Sequence, residues 1–372
     1  MLSLSEPILG DAEKKAVLET LDSGWITMGE RVKQFEDSFA KMHGCAEGVA
    51  VNSCTSGLHL ALVALGIGEG DEVLVPSLTF VATINAIKYV GATPVFIDVE
   101  SITEPHISLD QAEQHISSKT TAVMIMHYGG YLCDVKAWRA FSDKHNLALI
   151  EDAAHSPACP GVAQLGDITS FSFFSNKNMT TSEGGMLLAK TPELLAKLRN
   201  LRSHGMTSVT LDRHKGHAYS YDVIDLGFNY RLDEIRAAIG IEQLKKLNEW
   251  NSARIKNATY YKKRLRDNEI GLEIPFLNTS KTVAHLMPII LPMGVKREKV
   301  MDFLRAEGIQ SSIHYPPAHK FTYYRQLYPD VSLPITEDYC DRELTLPLHP
   351  LLRHDNIEFI SETIITACKA SA

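Results

Sequence analysis

The chain has 372 residues, enough for a large core and for more than one domain, with 45% hydrophobic and 22% charged residues. That balance excludes an intrinsically disordered chain, and the formal net charge of −8 argues against a nucleic-acid surface, though not against a local anion pocket. No apolar run approaches the ~20 residues that span a bilayer, the first residues lack a secretory pattern, and the six cysteines form no CxxC pair; the expectation is a cytoplasmic protein with reduced thiols, no membrane contact and no metal site.

Apolar positions at helical spacing (Ala12, Ala16, Val17, Leu21) predict a helix over 11–23 that ends near Gly24. Gly24-Trp-Ile-Thr-Met-Gly29 follows, and then an amphipathic helix from Arg31 to Met42. Gly48–Val51 reads as a buried strand running into the small polar loop Asn52-Ser-Cys-Thr-Ser-Gly57, with a helix expected over Leu58–Leu65. Strand, polar loop and helix make a phosphate-binding geometry, because the free N–H groups of the first helical turn and the helix dipole point at the anion. Thr55 and Ser56 are placed to donate there; residues 53 to 56 serve equally well as a helix cap.

Strand and helix then alternate: Glu72–Pro76, helix 79–90, Thr93–Asp98, strand 121–126, helix 134–145 and Leu147–Asp152. This rhythm predicts an α/β fold with a mainly parallel sheet covered on both faces, and functional groups gathered at the carboxyl ends of its strands. Asn52, Pro76-Ser77, His127, Asp152 and Lys177 all fall at such ends. Asp152 closes an apolar strand, where a carboxylate needs a cation or hydrogen bonds. It is either the partner of a protonated ring nitrogen or a cap for Ala153-Ala154. Phe80 either covers the face of an aromatic cofactor or belongs to the core.

From Ser170 to Phe173 hydroxyl and bulky apolar residues alternate, the repeat of a strand with one face in the core. Lys177 follows just past the strand end, and Glu183-Gly184-Gly185 turns the backbone into a second strand, Met186–Ala189. A lysine held between two buried strands loses solvation, which frees its amine as a nucleophile for Schiff-base chemistry. The competing reading is a solvated lysine at a strand end.

Thr191 to Arg202 is helical, with Thr191 as N-cap and Pro192 in the first turn. The loop after Ser203 carries Arg213-His-Lys-Gly-His217, a cluster that suits a diphosphate, a metal or plain solvent, although no carboxylate or cysteine is spaced to complete a metal site. A long helix, Arg231 to Trp250, leads to an α+β pattern: a basic helical segment Arg254–Arg266, strand Ala284–Leu291, helix 297–307, strand Ile309–His314 and a closing helix near 355–370. The expected domains are 1–248 and 249–372.

In order, Gly24-Trp-Ile-Thr, Asn-Ser-Cys-Thr-Ser-Gly, Pro-Ser-Leu-Thr-Phe, Glu-Asp-Ala-Ala-His, Ser-Phe-Ser-Phe-Phe-Ser-Asn-Lys-Asn with Glu-Gly-Gly, Gly227-Phe-Asn-Tyr-Arg-Leu and Ile313-His-Tyr-Pro resemble the DegT/DnrJ/EryC1/StrS sugar aminotransferases from end to end. The resemblance implies fold type I of the pyridoxal-phosphate-dependent transferases, with a mainly parallel seven-stranded sheet and a smaller α+β C-terminal domain. It implies that Lys177 binds pyridoxal 5'-phosphate covalently, that Asp152 keeps the pyridine nitrogen protonated and that Phe80 stacks on the ring. Thr55, Ser56 and Ser172 would bind the phosphate, with Asn229 reaching the same phosphate from the second subunit of a homodimer with shared active sites. His155 stands where the family often has Gln or His near the ring oxygen. Trp25, Thr27, Tyr128, His314 and Tyr315 would lie near the substrate.

Cys54 and Gly57 depart from the family's commoner Gly and Ala, which implies altered backbone freedom in the phosphate loop. Lysine at 177, where the family's dehydratases carry histidine, favours amino transfer. The implied reaction moves the amino group of glutamate to a nucleotide-linked 4-keto-6-deoxy sugar, giving a 4-amino-4,6-dideoxy sugar. Gly24–Thr27 and Met126–Asp134 look like the branch that aminates C4, whereas the C3 branch more usually has His-Leu-Tyr-Gly in the second stretch. Tyr128 is the candidate for setting the sugar's rotation. The alternatives are a C3 aminotransferase, a pyridoxal-phosphate-dependent sugar dehydratase, a cyclitol aminotransferase, or a non-catalytic regulatory member of the fold. A nicotinamide dehydrogenase fits poorly, because no GxGxxG follows the first strand.

Overall fold

The computed structural model describes residues 1–207 and 221–371; the Arg213–His217 cluster lies outside the described residues. Helices α1 (Asp11–Asp22) and α2 (Glu30–Met42) precede a seven-stranded sheet. Its strands are β1 (Gly48–Val51), β2 (Glu72–Pro76), β3 (Thr93–Ile97), β4 (Thr120–Met126), β5 (Ala148–Asp152), β6 (Ile168–Ser172) and β7 (Gly185–Ala189), in the order β1-β7-β6-β5-β4-β2-β3. The pairs among β2 to β6 are parallel, and β7 runs antiparallel to both β1 and β6. The Glu183-Gly184 turn makes that reversal possible, whereas crossover segments containing α3 (Cys54–Ala64), α4 (Val81–Tyr89) or α6 (Val135–His145) return the chain between parallel strands.

Parallel strands covered on both faces read as apolar runs, and two clusters fill the two faces. Phe35, Phe39, Phe171 and Phe173 lie in one; Leu58, Leu60, Ile84 and Ile87 lie in the other. All five residues of β6 are buried, so the alternation of Ser170 and Ser172 with Phe171 separates two buried faces, not core from solvent. Phe171 lies edge-on to Phe39 at 5.0 Å, and Phe173 is 5.2 Å from Phe35; each such pair is worth about 1 kcal/mol beyond its buried area.

Helix α3 begins at Cys54, four positions before the apolar run that announces it, because Ser53 caps it and accepts from the Ser56 N–H at 3.1 Å. A short helix, α5 (Leu109–Gln114), capped by Ser108, was not expected; six residues are too few to show a period. Helix α7 (Pro192–Arg202) starts as expected, with the Thr191 side chain accepting from Leu194 N.

The two basic and apolar segments after Arg231 form one helix, Glu234–Leu265, of 32 residues. Asn251-Ser-Ala253 contains neither Gly nor Pro, so nothing interrupts it. Its first half packs Ala237, Ile241, Leu244 and Leu247 on the large core, and its second half packs Ala258, Tyr261 and Leu265 on a separate smaller core. The expected border between 248 and 249 falls inside this helix, where it passes from one core to the other. In the small core β8 (Met287–Ile290) pairs antiparallel with β9 (Glu343–Leu346). The expected strand Ile309–His314 does not form: Ile309 and Ser312 make single bridges, to Leu2 and Thr345. Leu2 packs against the small core, so the first residues of the chain associate with the C-terminal part. Helix His354–Ser371 closes the fold. Among the described residues no helix is long and apolar enough to cross a membrane, and no group of acidic, His or Cys side chains is placed to hold a metal ion.

Candidate active site

The carboxyl ends of β4, β5 and β6 and the start of α3 open onto one cleft of about 380 Å³, which Phe80 and the small domain's His314 and Tyr315 also wall. Of the residues proposed for the site, Thr55, Phe80, Asp152, His155, Ser172, Lys177, His314 and Tyr315 line this cleft. Segments far apart in sequence meet here because the parallel topology brings strand ends together.

Asp152 ends β5 and is buried. Thr83 Oγ1 donates to its Oδ2 at 2.7 Å and Ala154 N to its Oδ1 at 3.1 Å, which leaves further lone pairs on both oxygens. Burial raises its carboxyl above the ordinary range, opposed by those two bonds and by the Lys177 charge. Lys177 stands on the turn after β6, where its backbone N–H donates to Phe174 O. Burial lowers its ammonium to about 8, opposed by Cys54 and Asp152. A neutral amine is therefore available near physiological pH, as a carbonyl-capturing lysine requires.

The N-terminus of α3 presents Ser53, Cys54 and Thr55 to the cleft, opposite Ser172. Ser56 does not line it. Its hydroxyl lies 2.9 Å from the Ser53 hydroxyl, so Ser56 belongs to the cap, while Thr55 remains at the cleft for an anion. Gly185 permits this arrangement: a Cβ there would stand 2.8 Å from both Cys54 N and Phe171 O. Backbone freedom is not what the other two departures alter, since Gly57 sits in a regular helical turn. A Cβ at 57 would lie 2.5 Å from Ser170 Oγ, and Cys54 Sγ lies 3.3 Å from that same oxygen. Cys54 and Gly57 are thus coupled through Ser170. Burial pushes the Cys54 thiol up, so it stays protonated.

Gly129 N donates to His155 Nδ1 at 3.1 Å, which assigns the ring proton to Nε2; Nε2–H then donates to the Tyr315 hydroxyl at 3.0 Å. The Tyr315 proton is left to donate elsewhere. Burial holds His155 well below its ordinary value, with the Lys177 charge adding to the effect, so the ring is neutral. Phe80 is exposed on the cleft side, 5.7 Å from the Tyr315 ring.

Four expected residues lie elsewhere. Tyr128 is fully buried and does not line the cleft; its hydroxyl donates to the His314 carbonyl and accepts from Tyr339 at 3.2 Å. It supports the wall from behind and does not grip a substrate directly. Trp25 and Thr27 belong to a segment outside the cleft, which Glu234 ties to the start of α2 by accepting from Gly29 N at 2.9 Å. Asn229 is exposed, paired with Ser203 in a bridge away from this cleft. His127, also expected at the crevice, is fully buried against Glu151 at 2.8 Å.

Sequence reasoning missed His285, whose ring lies 4.4 Å from that of His155 and whose Nδ1 is 2.9 Å from Asn178 Oδ1. Asn178 adjoins Lys177, but the pairing spans 107 residues, so no local signal announces it. Ser53, Ala154, Asn176 and Glu183 also line the cleft and flank motif residues that were recognised. A helix N-terminus with hydroxyls, a neutralisable amine and a buried carboxylate suit a ligand with a phosphate, a carbonyl and a basic ring nitrogen. Pyridoxal phosphate fits this donor set.

The sequence pattern of the DegT/DnrJ/EryC1/StrS aminotransferase family matches residues 7–365. The chain is 37% identical to the spore coat polysaccharide biosynthesis protein SpsC of Bacillus subtilis (strain 168), covering 98% of this chain and 96% of that protein. Among solved structures it is similar to PseC of Helicobacter pylori, an aminotransferase involved in the biosynthesis of pseudoaminic acid, with 29% identity, a TM-score of 0.91 and 99% of each chain covered. It is also similar to DesI in the presence of its TDP-sugar product, with 28% identity, a TM-score of 0.87, and 99% of this chain and 92% of that one covered.

Proposed function

Since the chain belongs to the DegT/DnrJ/EryC1/StrS aminotransferase family of sugar aminotransferases, whose cofactor is pyridoxal 5'-phosphate, we propose that it transfers the amino group of glutamate to C4 of a nucleotide-linked 4-keto-6-deoxy sugar. The observation that carries this reading is the meeting, in one cleft, of the Lys177 amine and the Asp152 carboxylate with a hydroxyl and imidazole wall from Tyr315 and His314. Such a wall suits a polyhydroxylated substrate, and the TDP-sugar product of DesI supports the nucleotide-linked class. Gly24–Thr27 and Met126–Asp134 support C4 by resemblance alone. With Tyr128 behind the wall, the sugar's rotation falls to His314 and Tyr315.

When bound, pyridoxal phosphate supplies the electron sink and carries the amino group between donor and acceptor. Thr55 and Ser172, with the N–H groups that begin α3, would hold its phosphate, and Asp152 would hold a proton at the ring nitrogen. Phe80 would cover the ring. Lys177 Nζ, neutral above about 8, would take the proton from the donor's α-carbon and return one to the acceptor carbon.

Incubating the purified protein with glutamate and either a nucleotide-linked 4-keto-6-deoxy sugar or its 3-keto isomer tests the assignment. NMR of the product is expected to place nitrogen at C4 of a 4-amino-4,6-dideoxy sugar. Nitrogen at C3, or turnover of the 3-keto isomer alone, overturns it.

Among the described residues, Lys177 is the one Lys or Arg lining the cleft. A nucleotide diphosphate and the carboxylates of glutamate need more positive charge than that, which supports a homodimer whose second subunit completes the site. Exposed Asn229 is the group proposed to cross over. Mixing Lys177→Ala subunits with Asn229→Ala subunits is expected to restore part of the lost activity, because each hybrid carries one intact site. No recovery after verified subunit exchange means that each site is built from one chain.

A further inference from the structure

Behind the cleft wall, three side chains form a line of hydrogen bonds that ends at a buried carboxyl. The Thr345 hydroxyl lies against Glu343 Oε1, and His314 Nδ1 lies 2.8 Å from the same Thr345 oxygen. The His314 backbone N–H donates to the other carboxyl oxygen, Glu343 Oε2, at 2.8 Å. Glu343 and Thr345 are both 1% exposed, and they lie on one strand, β9, two residues apart and therefore on the same face. The His314 backbone is held from the opposite side by Tyr128, whose hydroxyl donates to the His314 carbonyl. His314 itself walls the cleft, and among the described residues its Nε2 has no hydrogen-bond partner.

A hydroxyl between a carboxyl and an imidazole has only two self-consistent arrangements, because each hydrogen bond carries one proton. With Glu343 ionised, Thr345 O–H donates to Oε1, His314 Nδ1–H donates to Thr345, and Nε2 presents a lone pair to the cleft. With Glu343 protonated at Oε1, that O–H donates to Thr345, Thr345 donates to Nδ1, and Nε2 carries the proton. The two states differ by one proton, which enters or leaves at Nε2 and is stored at Glu343 while the imidazole stays neutral throughout. We propose that Glu343, Thr345 and His314 form a proton relay, through which the buried carboxyl decides whether His314 offers the cleft a donor or an acceptor. His314 is the residue that meets the ligand, and Glu343 and Thr345 are positioning residues.

The surrounding charges agree with this arrangement. Burial lowers His314 to about 4, and the Lys177 charge adds to that, so an imidazolium does not form near neutrality. Its other titratable neighbours, His155 and His285, are held neutral by their own burial. Burial raises Glu343 to about 8, opposed by the Thr345 hydroxyl, the His314 N–H and the Arg297 charge. The remaining groups facing Glu343 are Tyr128, Tyr315, Tyr339 and Cys340, all pushed up by burial and so uncharged. Glu343 is thus the group in this cluster that changes charge in the neutral to mildly alkaline range. On the proposed sugar reading, the relay lets His314 take a proton from, or lend one to, a hydroxyl or carbonyl oxygen of the keto-sugar.

The test reads the ring itself and does not depend on which substrate the protein uses. In holoenzyme labelled with ¹⁵N-histidine, the His314 signals are identified by their loss in His314→Gln. They are expected to show Nε2 protonated below about pH 8 and Nδ1 protonated above it, with no imidazolium signature. Glu343→Gln retains the bond to the His314 N–H through its amide oxygen and donates to Thr345 through its amide nitrogen, so His314 is expected to keep Nε2 protonated at every pH. Thr345→Val is expected to abolish the exchange and Thr345→Ser to restore it. One tautomer at all pH values in the wild type, or an exchange that persists in Thr345→Val, overturns the relay. Should Glu343→Gln fail to fold, the Val and Ser variants at 345 decide the question. A failed relay leaves the amino-transfer assignment untouched, because that assignment is read from the product.

Discussion

Lys177→Ala is expected to leave the fold intact, to abolish the visible absorption of covalently held cofactor and to lower turnover by at least about 10⁴-fold. General acid–base catalysis alone is worth up to about that factor, and the variant loses the covalent anchor as well. The fold should survive because the turn at this position is made by the backbone, through the N–H donated to Phe174 O. If the alanine variant still yields a borohydride-reducible adduct at another lysine, the assignment of Lys177 is wrong. The wild-type apoprotein carries a second expectation. Capture of pyridoxal phosphate requires the neutral amine, so its rate should climb with pH and level off above about 8, where burial has placed this group. A rate still climbing through the ordinary lysine range, near about 10.4, means that the amine is not desolvated.

Asp152→Asn is expected to preserve cofactor capture by Lys177 and to lower amino transfer by roughly 10²-fold or more. A buried charge-assisted contact is worth about 2–5 kcal/mol, and about 1.4 kcal/mol corresponds to tenfold in rate. An amide keeps the shape of the site and can still accept from Thr83 or Ala154, but it cannot hold a proton on a ring nitrogen. Stopped-flow measurement of each half-reaction separates capture from transfer. Wild-type transfer rates in the variant mean that Asp152 serves only to cap the Ala153-Ala154 turn.

The features legible in the sequence are those written locally. Apolar runs such as Val73-Leu-Val75 and Leu149-Ile150 mark strands buried on both faces, and an Asp or a Lys at the end of such a run stands out against them. What escaped was set by contacts between distant residues. Tyr128 turns from the cleft because its hydroxyl meets the carbonyl of His314, 186 residues away. Glu343 and Thr345 look like ordinary residues of a short strand until His314 is packed over them. Helix α3 began early because its first turn consists of small polar residues, which cap and bind but show no apolar period. The single helix over 234–265 was divided in two because its apolar face changes target partway along.

That helix constrains how sequences of this kind can be recombined. A splice between two homologous chains at the apparent domain border would join half-helices from different parents, each half selected against its own core. Chimeras that exchange the small domain should instead cross over before Asp233, the N-cap, or after Leu265, so that the helix is inherited whole. The first residues of the chain, with Leu2 packed on the small core, should travel with that domain although they lie at the opposite end of the gene.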